Sequence, residues 1–311
     1  MDPSLASRIT RTASTQTYLT IRFLVDRSRV EDAFRAYAYF RWLDDLLDAQ
    51  EPAGPTAAAQ CARVRLLERQ QRLLERCLQG EPAGQVGPEE AMLVELIGHA
   101  RPEHSGLDSY LRSMMRVMAF DVGRRGRLVS GAELDEYTRW LAVAVSDAMH
   151  HFIGHGSVRA HDEARYRAVS GAHILHMLRD TSEDLRAGYC NVPREVLEAA
   201  SIEPQDTESE AYRSWVAARV ELARGHLDAG RSYFARLDCR RHRLAGLAYI
   251  GRFDWLTETM AKDGFRLRRR YEDACGTRTL LRMAGLTVAG LAGYRGRMLA
   301  TPTPVGPAGR D

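Results

Sequence analysis

An all-α fold is the structural class that the sequence predicts, and three features carry the prediction. The 11 prolines are unevenly placed, and the stretches 103–192 and 205–301 contain none. Apolar residues recur at three- and four-residue spacings, whereas strand-like alternation is scarce. Ala, Leu, Arg and Glu dominate, and all four favour helices. We therefore expect one large helical bundle whose long helices can enclose a cavity.

The predicted helices follow one another with short polar connections. Segments rich in Pro, Gly and polar residues mark the loops, at 51–55, 80–88, 101–106 and 188–193. We expect residues 1–14 to be a flexible segment, 15–299 to form a single domain, and 300–311 to be a disordered tail. Helices are predicted at about 28–49, 57–79, 88–100, 106–122, 131–154, 163–187, 207–236, 241–262 and 278–298.

Composition excludes several classes of protein. The 44 basic residues nearly cancel the 41 acidic ones, giving a net charge of +3 and no sign of a nucleic-acid partner. The 5 cysteines form no Cys-x-x-Cys pair, which disfavours a zinc site and indicates a reduced, cytoplasmic location. Neither a secretory signal nor a transmembrane segment is expected. The oligomeric state is not indicated by the sequence.

The first candidate site is an acidic cluster in the predicted helix 28–49. Asp44 and Asp48 are four residues apart, so they share one helical face, and Arg41 lies on the same side. Their surroundings are apolar, and burying an unpaired carboxylate there would be costly. A hard divalent cation such as Mg²⁺ would remove that cost. Taken alone, the cluster could equally be a solvated acidic turn.

The second candidate site repeats this spacing in the predicted helix 163–187. Asp180 and Asp184 are four residues apart, with Arg179 beside them. His176 and His173 precede Asp180 by four and seven residues, so all four side chains form one helical stripe. This segment, too, could by itself be a charged surface helix.

The two clusters together are more informative than either alone. Two Asp-x-x-x-Asp motifs on separate helices, each beside an arginine, can face each other across a bundle. Mg²⁺ keeps most of its waters and bridges carboxylates to substrate phosphates. A diphosphate leaving group requires such an arrangement, since negative charge develops as the C–O bond breaks.

The sequence resembles the squalene/phytoene synthase family from about Thr15 to about Arg270. The segments YFRWLDDLLDA and LRDTSEDLRAG, the latter followed by Pro193, are similar to its two aspartate-rich motifs. The segment VMAFDVGRRGRLVSGAELDEYTRWLAVAVS is similar to the region between them, with Tyr137 at the position of a family tyrosine.

This resemblance implies an isoprenoid-synthase-type helical bundle with a central cavity and an isoprenyl diphosphate substrate. It implies diphosphate contacts from Arg41 and Arg179, with Thr15, Thr17 and Tyr137 near the substrate. It also implies that Mg²⁺ is held by Asp44, Asp48, Asp180 and Asp184.

Two further groups of residues are candidates for substrate contacts. The basic run Arg268–Arg270 is a weaker candidate for another phosphate contact. Aromatic ring faces can stabilise a carbocation. The candidates for that role are Tyr18, Tyr37, Phe40 and Tyr137.

The chain departs from the family pattern at several positions. His176 stands where an asparagine is usual, and His173 where a glutamine is usual. The family's Gly-Arg-x-Tyr-x-Pro becomes Gly188–Pro193 without the Arg and the Tyr, and Ser-Lys-Ser-Phe becomes Thr15–Tyr18 without the lysine. Two family glycines are replaced, by Val143 and Ser146.

These departures all point to the same change in substrate. Losing a lysine and an arginine weakens the case for a second diphosphate. Val143 and Ser146 are expected to narrow or reshape the cavity. Imidazoles at positions 173 and 176 add groups that accept a proton near pH 7. The sequence therefore predicts one diphosphate donor and an uncharged acceptor.

The resulting functional hypothesis is a Mg²⁺-dependent prenyltransferase of secondary metabolism with a small hydrophobic or aromatic, carbazole-type acceptor. The resemblance extends to squalene-synthase-like enzymes of this kind. His173, His176 or the released diphosphate could remove the ring proton, and His176 and Tyr137 join the four aspartates as catalytic candidates. Two alternatives remain open: head-to-head condensation of two prenyl diphosphates, and a non-catalytic scaffold.

Overall fold

The helical class predicted from the sequence is confirmed. The computed structural model describes residues 4–49, 56–99, 105–154 and 162–271. These residues form eleven α-helices and no β-strand. The predicted helix at 278–298 and the predicted tail at 300–311 lie outside the described residues, as does the loop at 51–55.

Eight of the predicted helices are present, with ends within a few residues of the predicted ones. Residues 27–29 form an additional 3₁₀ turn between the second and third helices. In chain order the helices are α1 (Leu5–Ala13), α2 (Thr15–Leu24), α3 (Val30–Asp48), α4 (Ala57–Leu78), α5 (Pro88–Gly98), α6 (Ser105–Arg124), α7 (Gly131–Phe152), α8 (Ala164–Ala187), α9 (Arg194–Ala200), α10 (Glu210–Ala235) and α11 (Arg240–Lys262).

The N-terminal segment, for which the sequence predicts flexibility over residues 1–14, is helical from Leu5 onward. Residues 5–13 form α1, which packs on α3 and buries Ala6 and Thr10. Ser14 ends α1 and also caps α2, since its hydroxyl accepts a hydrogen bond from the Thr17 backbone N–H. The two helices are only 9 and 10 residues long and are joined by one residue, so each is too short to be recognised from its pattern.

Local sequence signals set the ends of the helices that build the cavity. At the start of α7, the Ser130 and Glu133 side chains reciprocally cap each other's backbone N–H groups. At the end of α8, Gly188 adopts a left-handed conformation with φ of 90°, which favours glycine. The chain therefore turns sharply just after the second aspartate-rich motif.

Two apolar clusters form the core. The first is built from α1–α7 and the second mainly from α8, α10 and α11, while Met177 of α8 and Ala245 of α11 pack into the first. The cavity lies where these two groups of helices meet. No helix within the described residues is long and apolar enough to cross a membrane.

Helices α8 and α10 approach each other closely because small residues lie between them. A Cβ atom on Gly230 would lie 2.5 Å from the Cβ of Ala168 and 2.8 Å from its backbone N. A Cβ on Gly171 would lie 2.8 Å from the Ala223 carbonyl oxygen. Glycine is therefore required at both positions for α8 to keep its place.

The contact between α8 and α10 yields a stability prediction. We expect Gly230→Ala to lower the free energy of unfolding by about 1–3 kcal/mol, because the new methyl group meets backbone atoms that cannot rotate away. Urea unfolding of the two proteins measures this. Gly225→Ala on the same helix is the matched control. No atom of the described residues lies within 4 Å of that Cβ. It should be neutral or stabilising by up to about 1 kcal/mol. Equal effects of the two substitutions would contradict the close approach.

Candidate active site

A cavity of about 630 Å³ lies between the two groups of helices. Its walls are mostly apolar and come from α2, α3, α6, α7, α8 and α11, with Tyr189 from the segment after α8. Its polar lining is concentrated in charged residues and histidines, namely Arg41, Asp44, Asp48, Asp121, Arg124, His173, His176, Arg179, Asp180 and Asp184.

The two aspartate-rich motifs meet at this cavity. Asp44 and Asp48 of α3 and Asp180 and Asp184 of α8 all line it. The hydroxyl of Tyr189 donates a hydrogen bond to Asp48 Oδ1 at 3.0 Å across 141 residues of sequence. The Tyr189 backbone N–H donates to the Asp184 carbonyl oxygen at 2.8 Å. One residue thus links both motifs, and the predicted convergence of the two clusters is present.

Arginines accompany both acidic pairs, as the sequence predicts. Arg41 forms an ion pair with Asp45 and lies 3.6 Å from Asp44. Arg179 donates two hydrogen bonds to the Asp180 carboxylate, at 2.6 and 2.7 Å. Both guanidinium groups line the cavity, where they can also meet an anion.

Negative charge is incompletely balanced at the acidic end of the cavity. Burial raises the pKa of Asp44 to about 7, and the neighbouring Asp48 adds to the rise. Burial also raises the pKa of Asp184 to about 6; Asp180 adds to this, while a hydrogen bond from Asn191 opposes it. Additional positive charge is needed to keep these carboxylates ionised near neutral pH.

The donor set fits a magnesium ion that retains other ligands. Carboxylate oxygens are the hard ligands that Mg²⁺ prefers. Within the described residues, no three His, Cys, Asp or Glu side chains come close enough together to hold a metal ion by themselves. Mg²⁺ held by Asp44 and Asp48, or by Asp180 and Asp184, would therefore complete its shell with waters and phosphate oxygens.

Asp121 and Arg124 at the end of α6 are site residues that sequence reasoning missed. Asp121 accepts hydrogen bonds from the Tyr137 hydroxyl at 2.9 Å and from Arg124 Nε at 2.7 Å. Arg124 also donates to Asn191 Oδ1 at 2.7 Å, and Asn191 donates to Asp184 Oδ2 at 2.6 Å. A continuous polar chain therefore runs from Tyr137 to the second aspartate pair. Its only sequence signal was an Asp and an Arg three residues apart, inside a segment already recognised as family-like.

In the sequence, Tyr189 and Asn191 stand out only as replacements for the family's Arg and Tyr, respectively. The structure shows that each holds one carboxylate of an aspartate pair, Asp48 or Asp184. The Arg124 guanidinium lies over the Tyr189 ring, 4.8 Å from its centroid. These residues orient the carboxylates on which a metal ion would depend.

The two imidazoles lie in the apolar interior of the cavity. Among the described residues, neither His173 Nε2 nor His176 Nε2 has a hydrogen-bond partner. Burial, aided by Arg124, lowers the pKa of His173 to about 3. Burial and then Arg179 lower the pKa of His176 well below its usual value. The expectation that these groups accept a proton near pH 7 is therefore wrong for the ligand-free cavity, because low polarity disfavours the imidazolium.

Several predicted contacts are not at the cavity. Thr17 lines it, but Thr15 and Tyr18 do not, and the Tyr18 ring stacks on Phe34 instead. Because successive residues of α2 point in different directions, only part of this segment can face inward.

The two substituted glycine positions also lie away from the cavity. Neither Val143 nor Ser146 is among its lining residues, and the Ser146 hydroxyl donates to the Arg165 carbonyl oxygen. The prediction that they narrow the cavity is therefore wrong; Val145 faces it instead. The run Arg268–Arg270 is likewise outside it, with Arg268 paired to Asp263.

Removing one acidic side chain should change how stability depends on pH. In metal-free protein the folded state holds a proton on Asp44 up to a pKa of about 7, whereas the unfolded state releases it near 3.8. Stability should therefore fall as pH rises from about 4 to about 7. We expect Asp44→Asn to gain about 1–2 kcal/mol over wild type across this window, since 37% exposure of the Asp44 side chain screens the effect.

Urea unfolding with EDTA at about pH 5 and pH 8 measures this difference. Glu133→Gln is the control. Hydrogen bonds lower the Glu133 pKa to about 2, so its contribution is complete above pH 4.5 and constant between those two pH values. A pH-independent difference for Asp44→Asn would contradict the electrostatics described here.

Loss of the Tyr189 hydroxyl should weaken metal binding. We expect Tyr189→Phe to lower the affinity for Mg²⁺ with inorganic pyrophosphate by about tenfold or more, because Asp48 loses the donor that orients it. Isothermal titration calorimetry gives this affinity. Tyr39→Phe is the control, since its hydroxyl bonds Gln70 away from the cavity. Equal affinities in the two variants would show that the link between Tyr189 and Asp48 has no such role.

Comparison with known proteins agrees with this geometry. The squalene/phytoene synthase family profile matches residues 10–274. No protein of curated function shows significant sequence similarity to the chain. Among solved structures, a dehydrosqualene synthase with bound ligand is similar, with a TM-score of 0.68 and 14% identity over 94% of this chain and 95% of that one. TcSQS with the ligand BPH1237 is also similar, with a TM-score of 0.64 and 16% identity over 97% of this chain and 92% of that one. These structures share the fold, and the match over most of its length shows that the chain belongs to the squalene/phytoene synthase family of prenyltransferases.

Proposed function

We propose that this prenyltransferase uses Mg²⁺ to ionise one allylic isoprenyl diphosphate and transfers the prenyl group to a small neutral aromatic acceptor. The observation that carries this proposal is the division of the cavity. Four carboxylates and two arginines line it together, and His176 and His173 follow about one and two turns along α8 from Asp180, each with an Nε2 atom that has no hydrogen-bond partner among the described residues.

The acidic end supports binding of the donor. Burial raises the pKa values of Asp44 and Asp184, and the positive charge of bound Mg²⁺ would favour their ionised forms. Arg41 and Arg179 stand beside these carboxylates and can share their donors with phosphate oxygens. When bound, Mg²⁺ would neutralise the charge that develops on the leaving diphosphate.

Charge in the cavity supports a single diphosphate. Among the described lining residues, five aspartates outnumber three arginines, a formal excess of two negative charges. Each of the three arginines already contacts a carboxylate: Arg41 at Asp45, Arg124 at Asp121, and Arg179 at Asp180. A second diphosphate would add further negative charge and would have to share the same three arginines with the first.

The histidines support an acceptor that can form hydrogen bonds. A buried nitrogen without a partner is costly, and a ligand O–H or N–H would remove that cost. His173 also packs edge-on against Tyr137 at 4.7 Å, and His176 against Phe253 at 4.8 Å, so both rings are held in place. The hydrocarbon tail of a second prenyl diphosphate has no group to satisfy either nitrogen.

The reaction can be written in balanced steps. The bond between the allylic carbon and the diphosphate oxygen breaks, and its electron pair leaves with the diphosphate. A ring carbon of the acceptor then gives a π pair to the allylic cation, while the faces of Tyr37 and Phe40 in the cavity wall stabilise the positive charge. The ring proton passes to the released diphosphate, since burial makes the two imidazoles poor proton acceptors.

Head-to-head condensation of two prenyl diphosphates is the second candidate. The structural likeness to a dehydrosqualene synthase favours it, because the similarity covers 94% of this chain and 95% of that one. The two candidates share the donor end of the cavity and differ in what occupies the end beside the histidines.

Product analysis separates the candidates. The protein is incubated with Mg²⁺ and geranyl, farnesyl or geranylgeranyl diphosphate, alone or with hydroxylated carbazole, indole and phenol acceptors. We expect diphosphate release and a prenylated aromatic product only when an acceptor is present, as detected by a pyrophosphate assay and mass spectrometry. A C30 or C40 hydrocarbon from the donor alone would refute the aromatic acceptor and support condensation.

Variants assign the two ends of the cavity. Asp180→Asn should lower turnover by about 10²-fold or more with every acceptor, whereas the exposed Asp228→Asn should not. His176→Ala should raise the KM for the acceptor or alter regiochemistry while pyrophosphate affinity stays unchanged. If His176→Ala had the same KM for the acceptor and the same regiochemistry as wild type, His176 would have no role in binding the acceptor. Absence of diphosphate release with every donor would instead support a non-catalytic scaffold.

A further inference from the structure

Helix α2 exposes large apolar side chains on its outer face. Phe23 is 69% exposed and Leu19 is 44% exposed. They are four residues apart, so the two side chains lie next to each other on one helical face. Phe23 is the most exposed large hydrophobic side chain in the described parts of the chain.

The surroundings of this face are basic. Residues 4–25 contain no Asp or Glu, and Arg8, Arg11 and Arg22 are exposed. The Arg11 guanidinium lies 5.9 Å from the centroid of the Tyr18 ring, which places it beside the first half of α2. At the other end of α2, Arg241 donates to the Leu24 and Val25 carbonyl oxygens at 3.2 Å. Arg241 also forms an ion pair with Asp26, so the exposed positive charge beside the apolar pair comes from Arg8, Arg11 and Arg22.

The inner face of the same helix belongs to the cavity. Thr17, Thr20 and Ile21 line it; at 100° per residue Thr17 and Ile21 point away from Leu19 and Phe23, whereas Thr20 lies at the edge between the two faces. A single helix thus separates the cavity from the apolar outer face.

We propose that the outer face of α2 docks on an anionic lipid surface. Apolar side chains flanked by arginines match the acyl and headgroup layers of such a membrane. A stable interface with a second copy would need roughly 1,000 Å² of buried surface, more than two side chains on a ten-residue helix offer. Shallow insertion of two side chains with electrostatic support gives weak, reversible binding. The docked helix would place the cavity at headgroup level, where an amphiphilic prenyl diphosphate resides.

Vesicle co-sedimentation tests the docking. Full-length protein is mixed, without any substrate, with vesicles of phosphatidylcholine containing about 30% phosphatidylglycerol or none. We expect binding to the anionic vesicles that weakens at about 0.5 M NaCl. The double variant Leu19→Ser with Phe23→Ser should bind at least about tenfold less. Arg22→Gln should bind anionic vesicles about fivefold less.

Leu222→Ser is the matched control, because Leu222 is 43% exposed on α10, outside this face. It should bind like wild type, and circular dichroism should show that all variants are folded. Two results would overturn the proposal: no preference of wild type for anionic vesicles, or equal binding by the double variant. A concentration-dependent dimer lost in the double variant, with no vesicle binding, would make this face a protein interface instead. Since no substrate is used, this result is independent of the proposed reaction.

Discussion

The burial of neighbouring carboxylates at one end of an apolar cavity is the constraint on which the rest of the site depends. Asp44, Asp48, Asp180 and Asp184 come from two helices and line one cavity. Neutral donors do part of this work, since Tyr189 bonds Asp48 and Asn191 bonds Asp184. The protein thus keeps its carboxylates oriented but leaves their negative charge for a bound cation to balance.

Most of the fold could be predicted from the sequence because the long helices carry a strong three- and four-residue periodicity. The helices α1 and α2 could not, since nine and ten residues of mixed polarity contain too few turns to show it. Both aspartate pairs could be predicted, because their spacing alone places each pair on one face of a helix. Asp121 and Arg124 could not, since their value lies in contacts with residues far away in the chain.

The histidines illustrate a second limit of sequence reasoning. Their place on the same stripe as the aspartates follows from spacing, and both line the cavity as expected. Their protonation does not follow from spacing, because it depends on burial by Tyr137, Phe253 and other distant side chains. The prediction that Val143 and Ser146 narrow the cavity is wrong for a related reason. Val143 is two residues from Val145, and on a helix that spacing points its side chain away from the cavity.

The joint at Ser14 has a mechanical consequence. This residue ends α1 and caps α2, so no slack exists between a helix anchored on α3 and a helix that forms a wall of the cavity. Any outward rotation of α2 would therefore require a change in the backbone torsions of Ser14, or would break the packing of α1 on α3. At this end of α2, the freedom of the cavity wall is therefore limited to backbone rotation at a single position, where a longer loop would allow more.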